Sequence, residues 1–477
     1  MKKTVPANTT GPSTFFYPHE KCGIIGVYGF ESEAARLVHA GLWALQHRGQ
    51  ESSGIASTSG TTLRVFKKNG LVAHVYNEET LALLSGSAAI GHNRYATSGG
   101  GDKSHAQPVS SLANKLMLAH NGNLPDTTKL ERFLTKNNIP HQYMNDSEMM
   151  HAALEYLLSK KNTVSEAIAQ LWPLFTGAFC LVLLTKQALY AVRDEFGIRP
   201  LCLGKLNGGF VVASESCALD TIGATFVRDI NPGELLEISA TGLHSTQIKR
   251  GTQKLDIFEF VYFSRSDSLL LGKRVDTVRK EFGRQLAKEC TIAADVVVPV
   301  PDSAISAALG FAAASGIPFD HGLIKNRYIH RTFIQPAQKL RENYVALKLN
   351  PIPDVIAGKR VILVDDSIVR GTTAKKLIER IRQAGAKEVH LVISSPPVRF
   401  PDFYGIDTPN QKDLIAFTHT QKEIAKSIGA DSLHFLSYKG MIAATGLPEK
   451  LFTTSAFTGV YPAKIGKKKR EVRQLTV

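Results

Sequence analysis

Two adjacent carboxylates, Asp365 and Asp366, follow a short apolar run and precede a loop that contains glycine and threonine. The apolar residues 361–364 predict a buried strand that ends at the carboxylates. After the loop, apolar residues at helical spacing predict an amphipathic helix that begins near Thr372. The amides and the dipole at a helix start bind phosphate, and carboxylates accept hydrogen bonds from ribose hydroxyls. The stretch therefore predicts a site for a sugar phosphate.

The whole run of residues 361–373 (VILVDDSIVRGTT) resembles the phosphoribosyl-pyrophosphate (PRPP) loop of the type I phosphoribosyltransferases. An ordinary strand-to-helix turn with a chance acidic pair is the alternative interpretation, and the complete ordered run argues against it. The Walker phosphate loop is a different motif, Gly-x-x-x-x-Gly-Lys-Ser/Thr, and is absent from this sequence. The resemblance implies that the following residues bind PRPP: Asp365, Asp366, Ser367, Arg370, Gly371, Thr372 and Thr373.

Five further motifs lie in the first third of the chain, and the first of them begins with Cys22. They are residues 22–29 (CGIIGVYG), 45–51 (LQHRGQE), 91–97 (GHNRYAT), 119–124 (AHNGNL) and 145–148 (NDSE). Each motif alone has a structural explanation, because a cysteine can be a small core residue and Asn-Gly is typical of a hairpin turn. In this order, the five resemble the glutamine amidotransferases of the N-terminal-nucleophile class.

Amide hydrolysis explains the residue types in these motifs. The reaction needs a nucleophile, a proton acceptor and hydrogen-bond donors for the tetrahedral oxyanion. A cysteine thiolate is a strong nucleophile, and a free α-amino group, with a pKa of roughly 7.7–8.0, is a suitable base. That amine is free only when Cys22 is the first residue of the mature chain. We therefore expect residues 1–21 to be a propeptide whose removal exposes Cys22.

The same resemblance implies roles for four other residues. Arg94 pairs with the α-carboxylate of glutamine, which suits the fork of its guanidinium, and Asp146 binds the α-ammonium group. The side chain of Asn121 and the backbone N–H of Gly122 form the oxyanion hole. We expect loss of Cys22 to abolish the use of glutamine and to leave any reaction with free ammonia intact.

The two sites together resemble the glutamine PRPP amidotransferase family, and the resemblance extends over residues 22–462. It implies that PRPP, glutamine and water give 5-phosphoribosylamine, glutamate and pyrophosphate, the first step of de novo purine biosynthesis. Glucosamine-phosphate synthases and asparagine synthetases share the first half but have different partner domains. The resemblance also implies a homodimer or homotetramer, and purine nucleotides as feedback inhibitors.

Mg²⁺ is the expected cofactor, because a hard cation with oxygen ligands neutralises a leaving pyrophosphate. The family pattern places the ion near three residues: Ser303, Asp365 and Asp366. The basic segment of residues 325–350 matches a family loop that closes over the pyrophosphate and excludes water. Lys325 and Arg331 in this segment are the expected ligands of PRPP, and a solvated basic loop is the alternative interpretation.

The chain departs from those family members that hold a four-cysteine iron–sulfur cluster. The positions that match the cluster ligands hold Asp256, Asp402 and the cysteine-free stretch 451–457 (LFTTSAF). Since thiolates hold such clusters, we expect no iron–sulfur cluster in this chain.

The pattern of elements changes near residues 249–256, where the chain turns polar. Before this point, short strands, turns and a few helices predict an α+β arrangement, and the resemblance implies an N-terminal-nucleophile αββα sandwich over residues 22–250. After it, strands alternate with helices, which predicts a parallel, doubly wound sheet. The resemblance implies an α/β type I phosphoribosyltransferase domain over residues 251–463, followed by a basic tail over 464–477.

The amino-acid composition of the chain limits the kinds of substrate and partner that it is expected to bind. The chain has 477 residues, enough for two or three domains, and a formal net charge of +15. The basic residues are mostly dispersed and no nucleic-acid-binding signature occurs, so we expect phosphorylated substrates and no nucleic acid. Five cysteines without a Cys-x-x-Cys pair predict a reducing, cytoplasmic location. No apolar run is long enough to predict a membrane span.

Two alternative functions stay open at this point. A PRPP-sensing transcriptional regulator can keep the phosphoribosyltransferase fold, but the intact motifs around Cys22 and the lack of a helix-turn-helix pattern count against it. The second alternative is an ammonia-only phosphoribosyltransferase in which residues 1–21 are retained and the glutaminase is silent. The intact mass of the purified protein distinguishes this alternative from the two-site enzyme.

Overall fold

The structure is a computed structural model that describes residues 22–95, 105–111, 115–326, 349–405 and 410–473. The expected propeptide, residues 1–21, lies outside the described residues. So do Arg331 and most of the basic segment 325–350.

The described residues between 22 and 250 form two antiparallel sheets. Their strands are β1 (Gly23–Tyr28), β2 (Ser52–Thr58), β3 (Leu63–Asn69), β4 (Ala88–Arg94), β5 (Met117–Asn123), β6 (Ala178–Leu184), β7 (Ala188–Arg193), β8 (Cys202–Leu206), β9 (Gly209–Ala213), β10 (Thr225–Asp229), β11 (Glu234–Ser239) and β12 (Gly242–Gln247). One sheet has seven strands in the order β10-β8-β9-β1-β4-β2-β3. The other has five strands in the order β12-β11-β7-β6-β5.

Helices cover the outer face of each sheet. They are α1 (Ala34–Ala44), α2 (Val72–Val75), α3 (Glu78–Leu83), α4 (Thr128–Lys136), α5 (Asp146–Ser159), α6 (Val164–Leu171) and α7 (Ser216–Thr221). Successive side chains of a strand point to opposite faces. Accordingly, Ile25 of β1 packs with Val38 of α1, while Ile24 packs with Val182 of the facing sheet. The predicted αββα sandwich is confirmed.

The second half has a four-stranded parallel sheet in the order β16-β19-β20-β21. The strands of this half are β13 (Leu255–Asp256), β14 (Leu269–Leu270), β15 (Lys273–Arg274), β16 (Val296–Pro299), β17 (Leu323–Lys325), β18 (Leu349–Pro351), β19 (Arg360–Asp365), β20 (Glu388–Ile393), β21 (Ser432–Phe435) and β22 (Phe452–Thr453). The helices are α8 (Val275–Glu289), α9 (Ile305–Ser315), α10 (Pro353–Ile356), α11 (Thr372–Gln383), α12 (Ile415–Thr418), α13 (Gln421–Ile428), α14 (Tyr438–Thr445) and α15 (Ser455–Thr458). The predicted parallel α/β sheet is confirmed.

Strand β19 is the centre of the second half. Its residues 361–364 are fully buried, and Leu377 and Ile381 of α11 belong to the same apolar core. Because parallel strands end at the same edge of the sheet, this packing brings the end of β19 and the start of α11 to that edge.

The hairpin interpretation of Asn121 and Gly122 is wrong. Both residues lie inside β5, opposite Cys180 and Phe179 of β6. Pairing along the whole strand outweighs the turn preference of the dipeptide.

The two halves touch through residues that are distant in sequence. The side chain of Asn123 on β5 donates to the carbonyl of Phe403 at 2.8 Å, and Arg199 donates to the carbonyl of Tyr404 at 2.8 Å. The first half therefore contacts the second directly beside Asn121 and Gly122. Within the described ranges, the structure has no helix with the length and apolar character that a membrane span requires.

Candidate active sites

Cys22 lies immediately before β1 and is half-buried. Burial raises the pKa of its thiol, while a backbone hydrogen bond at Tyr95 and the charge of Arg94 lower it. Asp146 raises the pKa of the same thiol. The structure thus brings Arg94 and Asp146 into the electrostatic surroundings of Cys22. A thiol with a raised pKa needs a base to become a nucleophile at neutral pH.

Asn121 is fully buried, and neither polar atom of its side-chain amide has a hydrogen-bond partner among the described residues. Leaving a buried polar group unpaired costs about 1–3 kcal/mol, so the Asn121 amide is a candidate to bind a ligand or an ordered water. Gly122 follows it with a φ of +152°. A Cβ at Gly122 would lie 2.0 Å from the carbonyl oxygen of Ala178, so only glycine fits there.

Arg94 and Asp146 lie at the ends of regular elements. Arg94 ends β4, and its Nη1 lies 3.4 Å from Oε1 of Glu51, a residue to which sequence reasoning gave no role. Asp146 is the first residue of α5, whose capping box fixes its position. Its Oδ2 accepts a hydrogen bond from the backbone N–H of Leu124 at 3.0 Å, next to the Asn-Gly pair.

Sequence reasoning missed two buried histidines beside Asn121. His120 Nδ1 lies 2.9 Å from the hydroxyl of Ser147, and His92 Nε2 lies 3.1 Å from the carbonyl of His120. Burial lowers the pKa of both rings, that of His92 to about 3, so His92 is neutral at neutral pH. His92 lies within the motif 91–97 and His120 within the motif 119–124, and these motifs were the sequence feature that could have pointed to the two histidines.

The carboxylates of Asp365 and Asp366 are buried at the end of β19. Asp365 Oδ1 accepts the backbone N–H of Asp366 at 2.9 Å, and Asp366 accepts hydrogen bonds from Ser303 and Ser367. Burial raises the pKa of both carboxyl groups, and the charge of Asp366 raises that of Asp365 further. At Asp366, the hydrogen bonds from the Ser303 and Ser367 hydroxyls and the charge of Arg279 lower the pKa and so oppose this rise. The structure thus brings Ser303 and the acidic pair together.

The loop after the acidic pair leads into α11. Gly371 precedes this helix with a φ of +77°, a conformation that glycine adopts readily. Thr373 is buried, and its hydroxyl has no partner within the described part of the chain. Arg370 Nη2 lies 3.9 Å from Asp413 Oδ2. A glycine turn, threonine hydroxyls and a helix start are typical of phosphate-binding loops.

Lys325 lies close to the same edge of the sheet. Its ammonium group pairs with Asp302, the neighbour of Ser303.

Sequence reasoning missed Arg279 of α8, which is buried and donates to the carbonyls of Phe260 and Ser264, both at 2.8 Å. The only sequence signal for Arg279 was a basic residue on a helix, which is common.

Arg199 lies between Asp256 and Asp402, two of the positions that the resemblance matches to cluster ligands. Its Nη1 lies 2.8 Å from Asp256 Oδ2, and its Nη2 lies 3.6 Å from Asp402 Oδ1. Burial raises the pKa of Asp256 to about 6, although the charge of Arg199 lowers it. The five cysteines are free thiols. A buried ion-pair network therefore stands at these positions.

The two halves also match two family models. Residues 92–221 match a glutamine amidotransferase domain, and residues 278–395 match a phosphoribosyl transferase domain. The first range includes Arg94, Asn121 and Asp146, and the second includes Ser303 and the acidic pair. Fold and sites thus define a glutamine amidotransferase joined to a phosphoribosyltransferase.

Comparison with similar proteins identifies the particular family to which the chain belongs. The chain is 48% identical to the amidophosphoribosyltransferase of Synechocystis over 94% of this chain and 92% of that protein. It is 45% identical to that of Mycobacterium tuberculosis over 94% and 87% of the two chains. It also matches the structure of the Bacillus subtilis glutamine PRPP amidotransferase complexed with ADP and GMP. That match has a TM-score of 0.87 and 42% identity and covers 94% of this chain and 98% of the other. The chain belongs to the amidophosphoribosyltransferase family.

Proposed function

We propose that this enzyme makes 5-phosphoribosylamine from PRPP, glutamine and water and releases glutamate and pyrophosphate, the first step of purine biosynthesis. Its amidophosphoribosyltransferase relatives support this reaction. The observation that carries it is the unpaired, fully buried amide of Asn121, since a glutaminase needs such a donor beside its nucleophile.

In the glutaminase reaction, the sulfur of Cys22 attacks the amide carbon of glutamine. The α-amino group of Cys22 accepts the thiol proton and then gives it to the departing nitrogen, which leaves as ammonia. Asn121 and the N–H of Gly122 donate to the oxyanion, while Arg94 and Asp146 hold the two charged ends of the amino acid. Water then hydrolyses the thioester to glutamate and frees the thiol.

Removal of residues 1–21 is part of this proposal. The α-nitrogen of Cys22 is an amide while Lys21 precedes it, and an amide nitrogen cannot accept the proton. The raised pKa of the thiol strengthens the need for a base. An enzyme that retains the leader should therefore use ammonia and not glutamine.

In the transferase reaction, the N–H groups at the start of α11 and the hydroxyls of Thr372 and Thr373 bind the 5-phosphate. Asp365 and Asp366 accept hydrogen bonds from the ribose hydroxyls, and Ser367, Arg370 and Gly371 complete the loop. Lys325 and Arg331 bind the pyrophosphate. Ammonia forms the new bond to the anomeric carbon as the bond to pyrophosphate breaks, and the amine then loses one proton.

Mg²⁺ fits the donor set at this edge of the sheet. Ser303, Asp365 and Asp366 present only oxygen atoms, and Mg²⁺ prefers one or two carboxylates together with substrate phosphates. When bound, the ion neutralises charge on the pyrophosphate. Asp365 and Asp366 also orient the ribose, so they are anchors and not general bases.

The remaining proposals concern partners and location. A nucleoside monophosphate shares ribose 5-phosphate with PRPP, so purine nucleotides should inhibit by binding at the loop around Gly371; the B. subtilis relative holds ADP and GMP. We further propose a cytoplasmic homodimer or homotetramer that binds no nucleic acid. The ion pairs at Asp256 and Asp402 support an enzyme without an iron–sulfur cluster.

Pyrophosphate release from PRPP, measured with glutamine and with ammonia, tests this function. The processed enzyme should release pyrophosphate with either nitrogen source. An intact mass that includes residues 1–21, together with ammonia-only activity, would favour the silent-glutaminase alternative. No release with either source would contradict the proposed function.

A further inference from the structure

Arg48 uses all three nitrogen atoms of its guanidinium in buried hydrogen bonds. Its Nε donates to the main-chain carbonyl of Cys22 at 3.3 Å. Its Nη1 and Nη2 form a fork with the two carboxylate oxygens of Glu259 at 3.1 and 3.0 Å. Such bidentate pairing fixes a guanidinium in direction as well as in place. The residue that carries the proposed nucleophile is thus held by an arginine that Glu259 orients.

Glu259 comes from the other half of the chain, 211 residues after Arg48. It begins a π-helical turn, Glu259–Phe263, and is fully buried. The hydroxyl of Ser264 donates to its Oε2 at 2.7 Å, so the carboxylate is fixed from its own side of the boundary. A rare turn of this kind is frequent at functional sites.

Glu215 of the first half completes the cluster. Its Oε1 accepts a hydrogen bond from Arg48 and lies 2.8 Å from His47 Nε2. Its Oε2 accepts the backbone N–H of Arg265 at 2.9 Å. Burial alone would lower the pKa of Arg48, but Glu259 and Glu215 outweigh it and raise that pKa above its usual range. Arg48 is therefore a permanent cation in this cluster.

We propose that Glu259, a residue of the transferase half, is a positioning residue for the glutaminase reaction: it holds Arg48 against the carbonyl of Cys22 and so fixes the nucleophile relative to Asn121. This inference rests on the proposed role of Cys22. The carbonyl, the thiol and the α-amine belong to the same residue, so a shift of the carbonyl displaces both reacting groups. A displacement of about 1 Å can slow a reaction by roughly 100-fold.

Glu259→Gln is the test variant. Glutamine keeps the size of the side chain, but its uncharged amide offers Arg48 one oxygen acceptor in place of two. The matched control is Glu234→Gln, since Glu234 is also fully buried and forms a fork with Arg228 at 2.6 and 2.8 Å, away from Cys22. For each purified enzyme, kcat and KM are measured with glutamine and with ammonia. The KM for PRPP is included because the Ser264 carbonyl accepts a hydrogen bond from Arg279, whose charge lowers the pKa of Asp366.

In Glu259→Gln, kcat with glutamine should fall by about tenfold or more, while the KM for glutamine and the kcat with ammonia stay within about twofold of the wild type. Glu234→Gln should keep both activities. Equal losses with glutamine and with ammonia in Glu259→Gln would overturn the inference, since they would mean a structural role only. So would an unchanged kcat with glutamine.

Two further variants keep the inference testable when Glu259→Gln folds poorly. Arg48→Lys keeps the positive charge but offers no fork, and it should reproduce the selective loss with glutamine. Ser264→Ala removes a single hydrogen bond to Glu259 and should give a smaller loss in the same direction. Normal glutamine kinetics in both variants would refute the positioning role. A wild-type enzyme without glutaminase activity would instead refute the proposed function of Cys22.

Discussion

Asn121 and Asn93 are both fully buried amides of the first half, yet only Asn93 has hydrogen-bond partners among the described residues. Asn93 donates to the carbonyl of Leu42 at 2.7 Å and accepts from the hydroxyl of Ser53 at 2.9 Å. The two residues lie on β4 and β5, which belong to different sheets of the sandwich. The side-chain amide of Asn93 is therefore satisfied within the fold, whereas that of Asn121 has no partner among the described residues.

The substitution Asn121→Ala should separate activity from stability. It removes an unpaired buried amide, so the melting temperature should not fall, while kcat with glutamine should drop by about 100- to 1,000-fold. Asn93→Ala is the matched control and should lower the free energy of unfolding by about 1–3 kcal/mol. Thermal melting and glutaminase assays measure both quantities. A clear loss of stability in Asn121→Ala would argue that the amide is structural.

The substitution Asp365→Asn should raise stability and abolish synthesis with both nitrogen sources. Burial and the charge of Asp366 raise the pKa of Asp365, so the ionised carboxylate is less favourable in the folded protein than in the unfolded chain. Asparagine can still accept the N–H of Asp366 and carries no charge. We expect a gain on the order of 1 kcal/mol in the free energy of unfolding, measured by denaturant titration. A less stable variant with normal PRPP kinetics would contradict the assigned role.

The neutral ring of His92 should make the protein sensitive to acid. Burial lowers the pKa of His92 to about 3, whereas an unfolded histidine titrates near about 6.5. Between these values only the unfolded state takes up this proton, so stability falls as the pH falls. His92 therefore contributes about 1.4 kcal/mol per pH unit to the slope of the unfolding free energy in this range. In His92→Gln, the slope of unfolding free energy between pH 6 and 5 should decrease by about that amount; an unchanged slope would refute the prediction.

The ion pairs of Arg199 should be essential for stability. Arg199→Met leaves Asp256 and Asp402 facing an apolar side chain in a buried site, which should lower the free energy of unfolding by about 3–5 kcal/mol. Arg360→Met is a suitable control, because its pair with Asp295 is exposed to solvent and should contribute far less to stability. Equal stability of the two variants would argue against a structural role for this network.

Contiguous patterns made much of the second half predictable. The buried run 361–364, the acidic pair and the helix start are neighbours in sequence, so local rules alone placed them in order. The alternation of strands and helices then predicted the parallel sheet that the structure contains. The sequence motifs also included Arg94 and Asp146, which lie in the electrostatic surroundings of Cys22.

Contacts between distant residues could not be predicted in this way. Arg48 and Glu259 are 211 residues apart, and no local pattern links an arginine in a short turn to a glutamate beyond the polar boundary. The ion pair of Arg199 with Asp256 is likewise a property of the assembled halves. The pairing of β5 with β6 similarly overrode the turn signal of Asn121 and Gly122.

The most direct measurement is pyrophosphate release by Cys22→Ala, with glutamine and with ammonia, beside the wild type and Asp365→Asn. The wild type should use both nitrogen sources. Cys22→Ala should lose glutamine-dependent release and keep ammonia-dependent release, because only the first half needs the thiol. Asp365→Asn should lose both. Loss of both activities in Cys22→Ala, or persistent use of glutamine, would contradict the division of labour between the two halves.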